Sequence, residues 1–118
     1  SDLIGESAFS YSSLVSAYIG DGVVTIDRYA FYSCTSLVDV SIGNGVTTIG
    51  TSAFQWCGTL PSIILGSSVA SIGESAFYDC SNLKNVYCLA EDLPSTMPTS
   101  SAWSMSRSTF TTFDPAGI

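Results

Sequence analysis

The chain has 118 residues, of which 46% are hydrophobic and 11% are charged, and its ten acidic and three basic side chains give a net charge of −7 at pH 7. This length suits one structural unit. The negative charge disfavours nucleic acid as a partner, because phosphates would be repelled. No apolar run approaches the ~20 residues that span a bilayer, so we expect no membrane insertion.

A short motif that begins with Ile, continues with Gly or Asp and ends in Ala-Phe occurs four times, at residues 4–9, 26–31, 49–54 and 72–77. Phe31, Phe54 and Phe77 lie 23 residues apart. A fixed period of this length is typical of a solenoid, in which stacked repeats share one core. We predict a single domain over residues 1–118, with a degenerate C-terminal capping repeat at its end. The predicted repeats span about 3–25, 26–48, 49–71 and 72–93, and the cap spans 94–118.

Each repeat contains a short strand that follows its recurring leucine. In the second copy Leu37, Val40 and Ile42 form an L-x-x-V-x-I pattern. The alternation of Val40 and Ile42 around Ser41 predicts a strand with one buried face. Stacked repeats would place these strands side by side in a parallel ladder, about 4.8 Å apart.

A turn and a second extended segment follow each strand. The turns are Gly20-Asp21-Gly22, Gly43-Asn44-Gly45 and Gly66-Ser67-Ser68, and Asp-Gly and Asn-Gly pairs are favoured where φ is positive. The second extended segments lie over 23–26, 46–49 and 69–72. A Gly or Asp comes next, and both are accepted at a helix N-cap, so we expect a short helical turn to carry each Ala-Phe pair.

The pattern I-G-x-x-A-F-x-x-C-x-x-L-x-x-V-x-I, seen over residues 49–65 and 72–88, resembles the BspA-like leucine-rich repeat family of microbial surface proteins. The resemblance covers residues 3 to about 92. It implies a leucine-rich-repeat solenoid, an extracellular location at the bacterial cell surface or in secreted form, and in some members adhesion to host matrix proteins. It implies no reaction. The chain has Gly20, Gly43 and Gly66 where family arrays often have Pro.

Ser1 and Asp2 lead directly into a repeat, without the polar capping segment that terminal repeats normally need. We therefore expect further repeats or another domain before Ser1, although a self-sufficient amphipathic start is an alternative.

The four cysteines favour buried free thiols. Cys34, Cys57 and Cys80 share one position of the repeat, and Cys88 lies in the last full strand. Stacked copies would have parallel Cβ vectors, which is poor geometry for a disulfide. Zinc usually requires close C-x-x-C pairs, which the sequence does not contain. A disulfide and a metal site remain the alternatives.

The sequence offers little for catalysis. It contains no histidine, which is the commonest general base. Glu6 and Glu74 lie three repeats apart, about 14 Å, which is too far for the paired carboxylates of glycosidases. Arg28 lies between them and could form an exposed ion pair with Glu6. Asp21 is interpreted as a turn residue rather than a calcium ligand. We predict no enzyme, no cofactor and no metal.

The outward face of the strand ladder is the candidate binding surface, because its side chains vary where the inward ones do not. Tyrosine suits an interface, since it supplies apolar area and a hydroxyl at low entropic cost. A plain solvated sheet face is the alternative, and the hydroxyl row Thr25, Thr48 and Ser71 is a second candidate surface. The predicted ligand-binding residues are Ser16, Tyr18, Asp39, Ser41, Ser62, Ile64, Asn85 and Tyr87.

Two functions therefore remain open. The first is an interaction module that adheres to an extracellular host protein or a glycan through this face. The second is a structural spacer or stalk within a larger surface protein.

Overall fold

The computed structural model of the protein describes residues 2–83, 85–88 and 110–112. The regular elements in this part of the chain are short strands, and their pairings are parallel. In chain order they are β1 (Leu3–Ile4), β2 (Ser16–Ile19), β3 (Thr25–Ile26), β4 (Asp39–Ile42), β5 (Thr48–Ile49), β6 (Ser62–Leu65), β7 (Ser71–Ile72), β8 (Asn85–Cys88) and β9 (Phe110–Thr112).

The strands form two parallel sheets. One sheet has the order β1-β3-β5-β7 and the other has the order β2-β4-β6-β8-β9. The chain thus alternates between the sheets as it advances, which is the path of a solenoid of about four turns. The leucine-rich-repeat solenoid with parallel strand ladders, predicted from the sequence, is confirmed.

Strand β4 shows how the period-two pattern positions the core. Val40 and Ile42 are buried, whereas Asp39 is exposed and Ser41 is half-buried. The same alternation recurs in β6, where Ile63 is fully buried. The apolar side chains therefore fill the interior between the two sheets, and the intervening side chains form an outward face.

A column of stacked phenylalanines runs through the core. The ring centroids of Phe9, Phe31, Phe54 and Phe77 lie 5.3, 5.0 and 5.5 Å apart in succession, with interplanar angles of 14°, 2° and 4°. Parallel strands about 4.8 Å apart place equivalent side chains one above another, which explains the near-parallel rings. Phe54 is fully buried, whereas Phe9 in the first repeat is 41% exposed. Each repeat thus buries its phenylalanine only with its neighbours.

The segment that carries each Ala-Phe pair is a series of hydrogen-bonded turns. We call the stacked segments 5–12, 27–34, 50–57 and 73–80 the turn ribbon. In the first, the N–H of Ala8 donates to the carbonyl of Gly5 (3.1 Å), and the N–H of Phe9 donates to Ala30 of the next repeat (2.8 Å). The short helical turns predicted here are not found, because no described residue is helical.

Left-handed residues explain why no helix forms in the turn ribbon. Two residues of each segment have φ between 57° and 66°, which no right-handed helix accepts. In the first three segments their N–H groups donate to carbonyls of the following repeat, as Ser33 does to Gln55 (2.8 Å). Bonds between repeats thus hold a conformation that non-glycine residues seldom adopt. The left-handed residues are Ser7, Tyr11, Tyr29, Ser33, Ser52, Trp56, Ser75 and Asp79.

The turn glycines serve a different purpose from the one their sequence predicted. The turns predicted at the Asp-Gly and Asn-Gly pairs are present at residues 21–22 and 44–45, but no glycine among the described residues has the positive φ that these pairs suggested. Close approach of the backbone is the reason at Gly43, where an added Cβ would lie 2.5 Å from the carbonyl oxygen of Ile19. Gly20 holds the same position in the first repeat, with no atom within 4 Å of an added Cβ.

Strand β9 extends the second sheet by one row. It pairs with β8 in the register Val86 to Phe110. It belongs to segment 94–118, for which the sequence predicts a degenerate capping repeat. The other residues of that segment lie outside the described residues, so the capping repeat and the repeat boundaries stay predictions.

Candidate functional site

The parallel register brings the predicted binding residues onto one face of the second sheet. Its paired positions include Ser16 with Asp39, Tyr18 with Ser41, Ser41 with Ile64, Ile64 with Tyr87, and Ser62 with Asn85. Ser16, Tyr18 and Asp39 are exposed, whereas Ser41, Ser62, Ile64 and Tyr87 are half-buried. The side chain of Asn85 lies outside what the structure describes. We call this surface the outward face.

Tyr18 and Asp39 form the polar end of the outward face. The Tyr18 hydroxyl donates a hydrogen bond of 2.5 Å to Oδ2 of Asp39. This bond, together with the negative charge of Asp39, raises the pKa of Tyr18 above its ordinary value of 10.0. The phenol, protonated at neutral pH as an ordinary phenol is, thus becomes harder to ionise at high pH.

We predict that Asp39→Asn returns the pKa of Tyr18 towards 10.0. The phenolate is disfavoured by the neighbouring carboxylate, so removing that charge makes the phenol easier to ionise. Because the pKa is raised in the folded state, the pair's stabilisation is present below about pH 10 and is lost as the pH rises above it. The measurement is an NMR titration of the Tyr18 ring. Asp21→Asn is the control, and an unchanged Tyr18 titration in Asp39→Asn would contradict the assignment.

An apolar hollow of about 290 Å³ lies at the open end of the first repeat. Its lining includes Ile4, Phe9, Leu14, Ala17 and Phe31, and the Tyr18 side chain borders it. In later repeats the equivalent positions are covered by a neighbouring copy. The hollow therefore joins the core to the Tyr18 end of the outward face.

The cysteines form a buried column beside the phenylalanines. The thiols of Cys34, Cys57 and Cys80 are free and donate to the carbonyls of Phe9 (3.1 Å), Phe31 (3.2 Å) and Phe54 (2.9 Å) of the preceding repeats. Buried free thiols, as predicted, are what the structure shows at these three positions; the Cys88 side chain lies outside the described residues.

The environment of Cys34 and Cys57 suppresses thiolate formation. The hydrogen-bond interaction with Cys57, followed by burial, raises the pKa of Cys34 far above its ordinary value. At Cys57 the bond with Cys34 acts to lower the pKa, but the bond with Cys80 and burial outweigh it and raise the pKa to about 12. Since the thiolate is the reactive form, these cysteines have a structural role.

We predict that the three column thiols resist modification while the protein is folded. In a Cys88→Ala variant, a disulfide reagent at about pH 8 should label no thiol until guanidinium chloride unfolds the chain, after which all three react. The pKa values of Cys34 and Cys57 are higher in the folded protein than in the unfolded chain. Their protonated thiols therefore stabilise the fold below about pH 9, and at Cys57 this stability is lost as the pH rises towards 12. Rapid labelling of the native protein, followed by mass spectrometry, would contradict this role.

Asp21 is held by backbone contacts to the next repeat. Its Oδ1 accepts a hydrogen bond from the N–H of Asn44 (2.9 Å), and Oδ1 of Asn44 accepts one from the N–H of Ser67 (3.0 Å). This ladder gives Asp21 the turn role that the sequence predicted. Within residues 2–83, 85–88 and 110–112, no group of three or more His, Cys, Asp or Glu side chains could hold a metal ion.

The expected ion pair between Arg28 and Glu6 is present. Arg28 Nε lies 3.5 Å from Glu6 Oε1, and both side chains are more than half exposed. An exposed pair of this kind contributes little to stability.

An aromatic cluster on the turn ribbon was missed by reasoning from the sequence. Tyr32 contacts Tyr11 (5.5 Å between ring centroids), Tyr29 (5.3 Å) and Trp56 (5.5 Å). The rings of Tyr11 and Tyr29 lie at 76° and 73° to that of Tyr32. Burial, followed by the neighbouring phenols of Tyr11 and Tyr29, raises the pKa of Tyr32. The available signal was the recurrence of aromatic residues one and two positions after the core phenylalanine. We call Tyr11, Tyr29, Tyr32 and Trp56 the aromatic cluster.

Comparison with known proteins accounts for this architecture. The family described as BspA type leucine rich repeat region matches residues 2–113 in 6 copies. The chain belongs to this family. BspA-type repeats are associated with bacterial surface proteins, and leucine-rich repeats generally mediate protein–protein interaction and are typically non-enzymatic. No curated protein and no solved structure matches the chain. Among the described residues, no helix is long and apolar enough to cross a membrane.

Proposed function

We propose that this BspA-type repeat domain is a non-enzymatic adhesion module, displayed on the bacterial cell surface or secreted, that binds a host protein or glycan through its outward face. The observation that carries the proposal is the contrast between the two sides of the second sheet. Its inward positions repeat nearly the same apolar residues, whereas its outward positions differ from copy to copy. A rigid core with a varied surface suits recognition.

The chemistry of the outward face supports a protein or glycan ligand. Tyr18 is 70% exposed and offers apolar ring area beside the Asp39 carboxylate. Ile64 and Tyr87 continue this mixed surface along the register. Tyrosines and an isoleucine among small polar groups resemble the composition of interface centres, where aromatic anchors contribute most of the binding energy.

The test is a binding screen of the whole chain against matrix proteins and a glycan array. We expect the parent to bind a ligand and the triple variant Tyr18→Ala, Ile64→Ala, Tyr87→Ala to lose at least about tenfold in affinity, because interface anchors each contribute over about 1 kcal/mol. Circular dichroism confirms that the variant folds. A control with Val38→Ala, an exposed residue outside the outward face, should bind as the parent does.

A structural spacer is the second candidate. The regular phenylalanine and cysteine columns favour it, because they make each repeat an almost identical building block. If neither the parent nor the variant binds any matrix protein or glycan, the spacer function is supported. Equal binding by both would show an interaction module that uses another face.

A further inference from the structure

The aromatic cluster is a second surface, separate from the outward face. Tyr11 is 72% exposed, Trp56 43% and Tyr29 37%, and Tyr32 lies between them. Large aromatic side chains gathered at the surface are unusual in a chain that buries its core residues so completely. The left-handed conformation of Tyr11, Tyr29 and Trp56, held by bonds to neighbouring repeats, fixes where these rings emerge from the backbone.

The turn ribbon that carries the cluster has a net negative charge. It contains Glu6, Asp27, Glu74 and Asp79 against one basic residue, Arg28, which is paired with Glu6. Asp79 occupies in the fourth repeat the position that Trp56 occupies in the third. It directly follows Tyr78, whose carbonyl accepts a hydrogen bond from the N–H of Trp56. Glu74 lies on the same ribbon. A cation bound to the rings would thus lie on a ribbon of net negative charge.

We propose that the aromatic cluster binds the lysine or arginine side chains of a basic, extended peptide segment of a partner protein. The negative face of an aromatic ring attracts an ammonium or guanidinium group, and several rings together strengthen the attraction. The Tyr32 phenol is neutral at neutral pH, as an ordinary phenol is, so the ring face and not a phenolate is the group that attracts the cation. The net charge of −7 adds long-range attraction for basic segments.

In the test, the full chain is titrated with two peptide probes, and binding is measured from the NMR chemical shifts of its backbone amides. We expect acetyl-(Lys)4-amide to cause saturable shifts confined to the turn ribbon, and acetyl-(Gln)4-amide to cause none. Tyr32→Leu keeps apolar bulk but removes the ring quadrupole, so it should weaken lysine-peptide binding by about tenfold. Trp56→Leu, at a more exposed position, is the second variant if Tyr32→Leu fails to fold.

The controls distinguish recognition by the rings from charge attraction alone and from plain apolar contact. Val38→Ala should bind the lysine peptide as the parent does. Equal shifts with both peptides, or undiminished lysine-peptide binding in the folded leucine variants, would overturn the proposal. A neutral tetrasaccharide that shifts the same amides while the lysine peptide does not would also overturn it, and would assign the cluster to glycans.

Discussion

Phe54→Ala should lower the free energy of unfolding by about 3–5 kcal/mol. Phe54 is fully buried and stacks on both sides, on Phe31 at 5.0 Å and on Phe77 at 5.5 Å. Truncation removes the transfer free energy of the ring and leaves a cavity between two repeats that the stacked backbones cannot close. Since small domains have total stabilities of about 5–15 kcal/mol, this single change removes a large share.

Phe9→Ala is the matched control for the same chemistry. Phe9 has one stacking partner and is 41% exposed, so its truncation should cost less than half as much as that of Phe54. The measurement is thermal and denaturant unfolding of the parent and both variants, monitored by circular dichroism. A melting temperature of Phe54→Ala within a degree or two of the parent, or equal losses in the two variants, would show that the column does not stabilise the solenoid.

Gly43→Ala should cost about 2–3 kcal/mol, the second largest effect that we expect. An added Cβ would lie 2.5 Å from the carbonyl oxygen of Ile19 and 2.8 Å from the carbonyl carbon of Gly20. Both are backbone atoms of the preceding repeat, so no side-chain rotation can relieve the overlap. Relief would require the repeats to separate, which would weaken the hydrogen bonds of their strand ladder.

Gly20→Ala tests the same position without a preceding repeat in contact. No atom lies within 4 Å of its added Cβ, so we expect a change within about 0.5 kcal/mol. The two variants share residue type and turn position, and their difference therefore isolates the close approach between repeats. Equal unfolding free energies for Gly43→Ala and Gly20→Ala would show that the turns can move apart at little cost.

The repeat period and the inward residues of the strands could be predicted from the sequence. The 23-residue spacing and the alternation around Ser41 require only that equivalent residues stack and that apolar side chains avoid water. The same logic predicted the buried thiols and the face that holds Tyr18 and Ile64. Whether that face binds a ligand stays a prediction, because a repeated pattern specifies position and not affinity.

The conformation of the turn ribbon depended on the tertiary structure. A Gly or Asp before Ala-Phe is compatible with a helix N-cap, so local propensity favoured a helical turn. Ser33 and its equivalents Tyr11 and Trp56 instead adopt left-handed φ values, because their N–H groups then reach carbonyls of the next repeat. Similarly, glycine in a turn suggests positive φ, whereas at Gly43 it is the neighbouring backbone that leaves no room for a Cβ.

The sequence by itself thus determined the solenoid, its core and its outward face, since these follow from periodicity and hydrophobicity within one repeat. Only the tertiary structure decided the turn conformations, the need for glycine at Gly43 and the gathering of Tyr11, Tyr29, Tyr32 and Trp56. The physical reason is that these features arise from contacts and hydrogen bonds between successive repeats. Such contacts depend on how neighbouring backbones are offset, which no single repeat encodes.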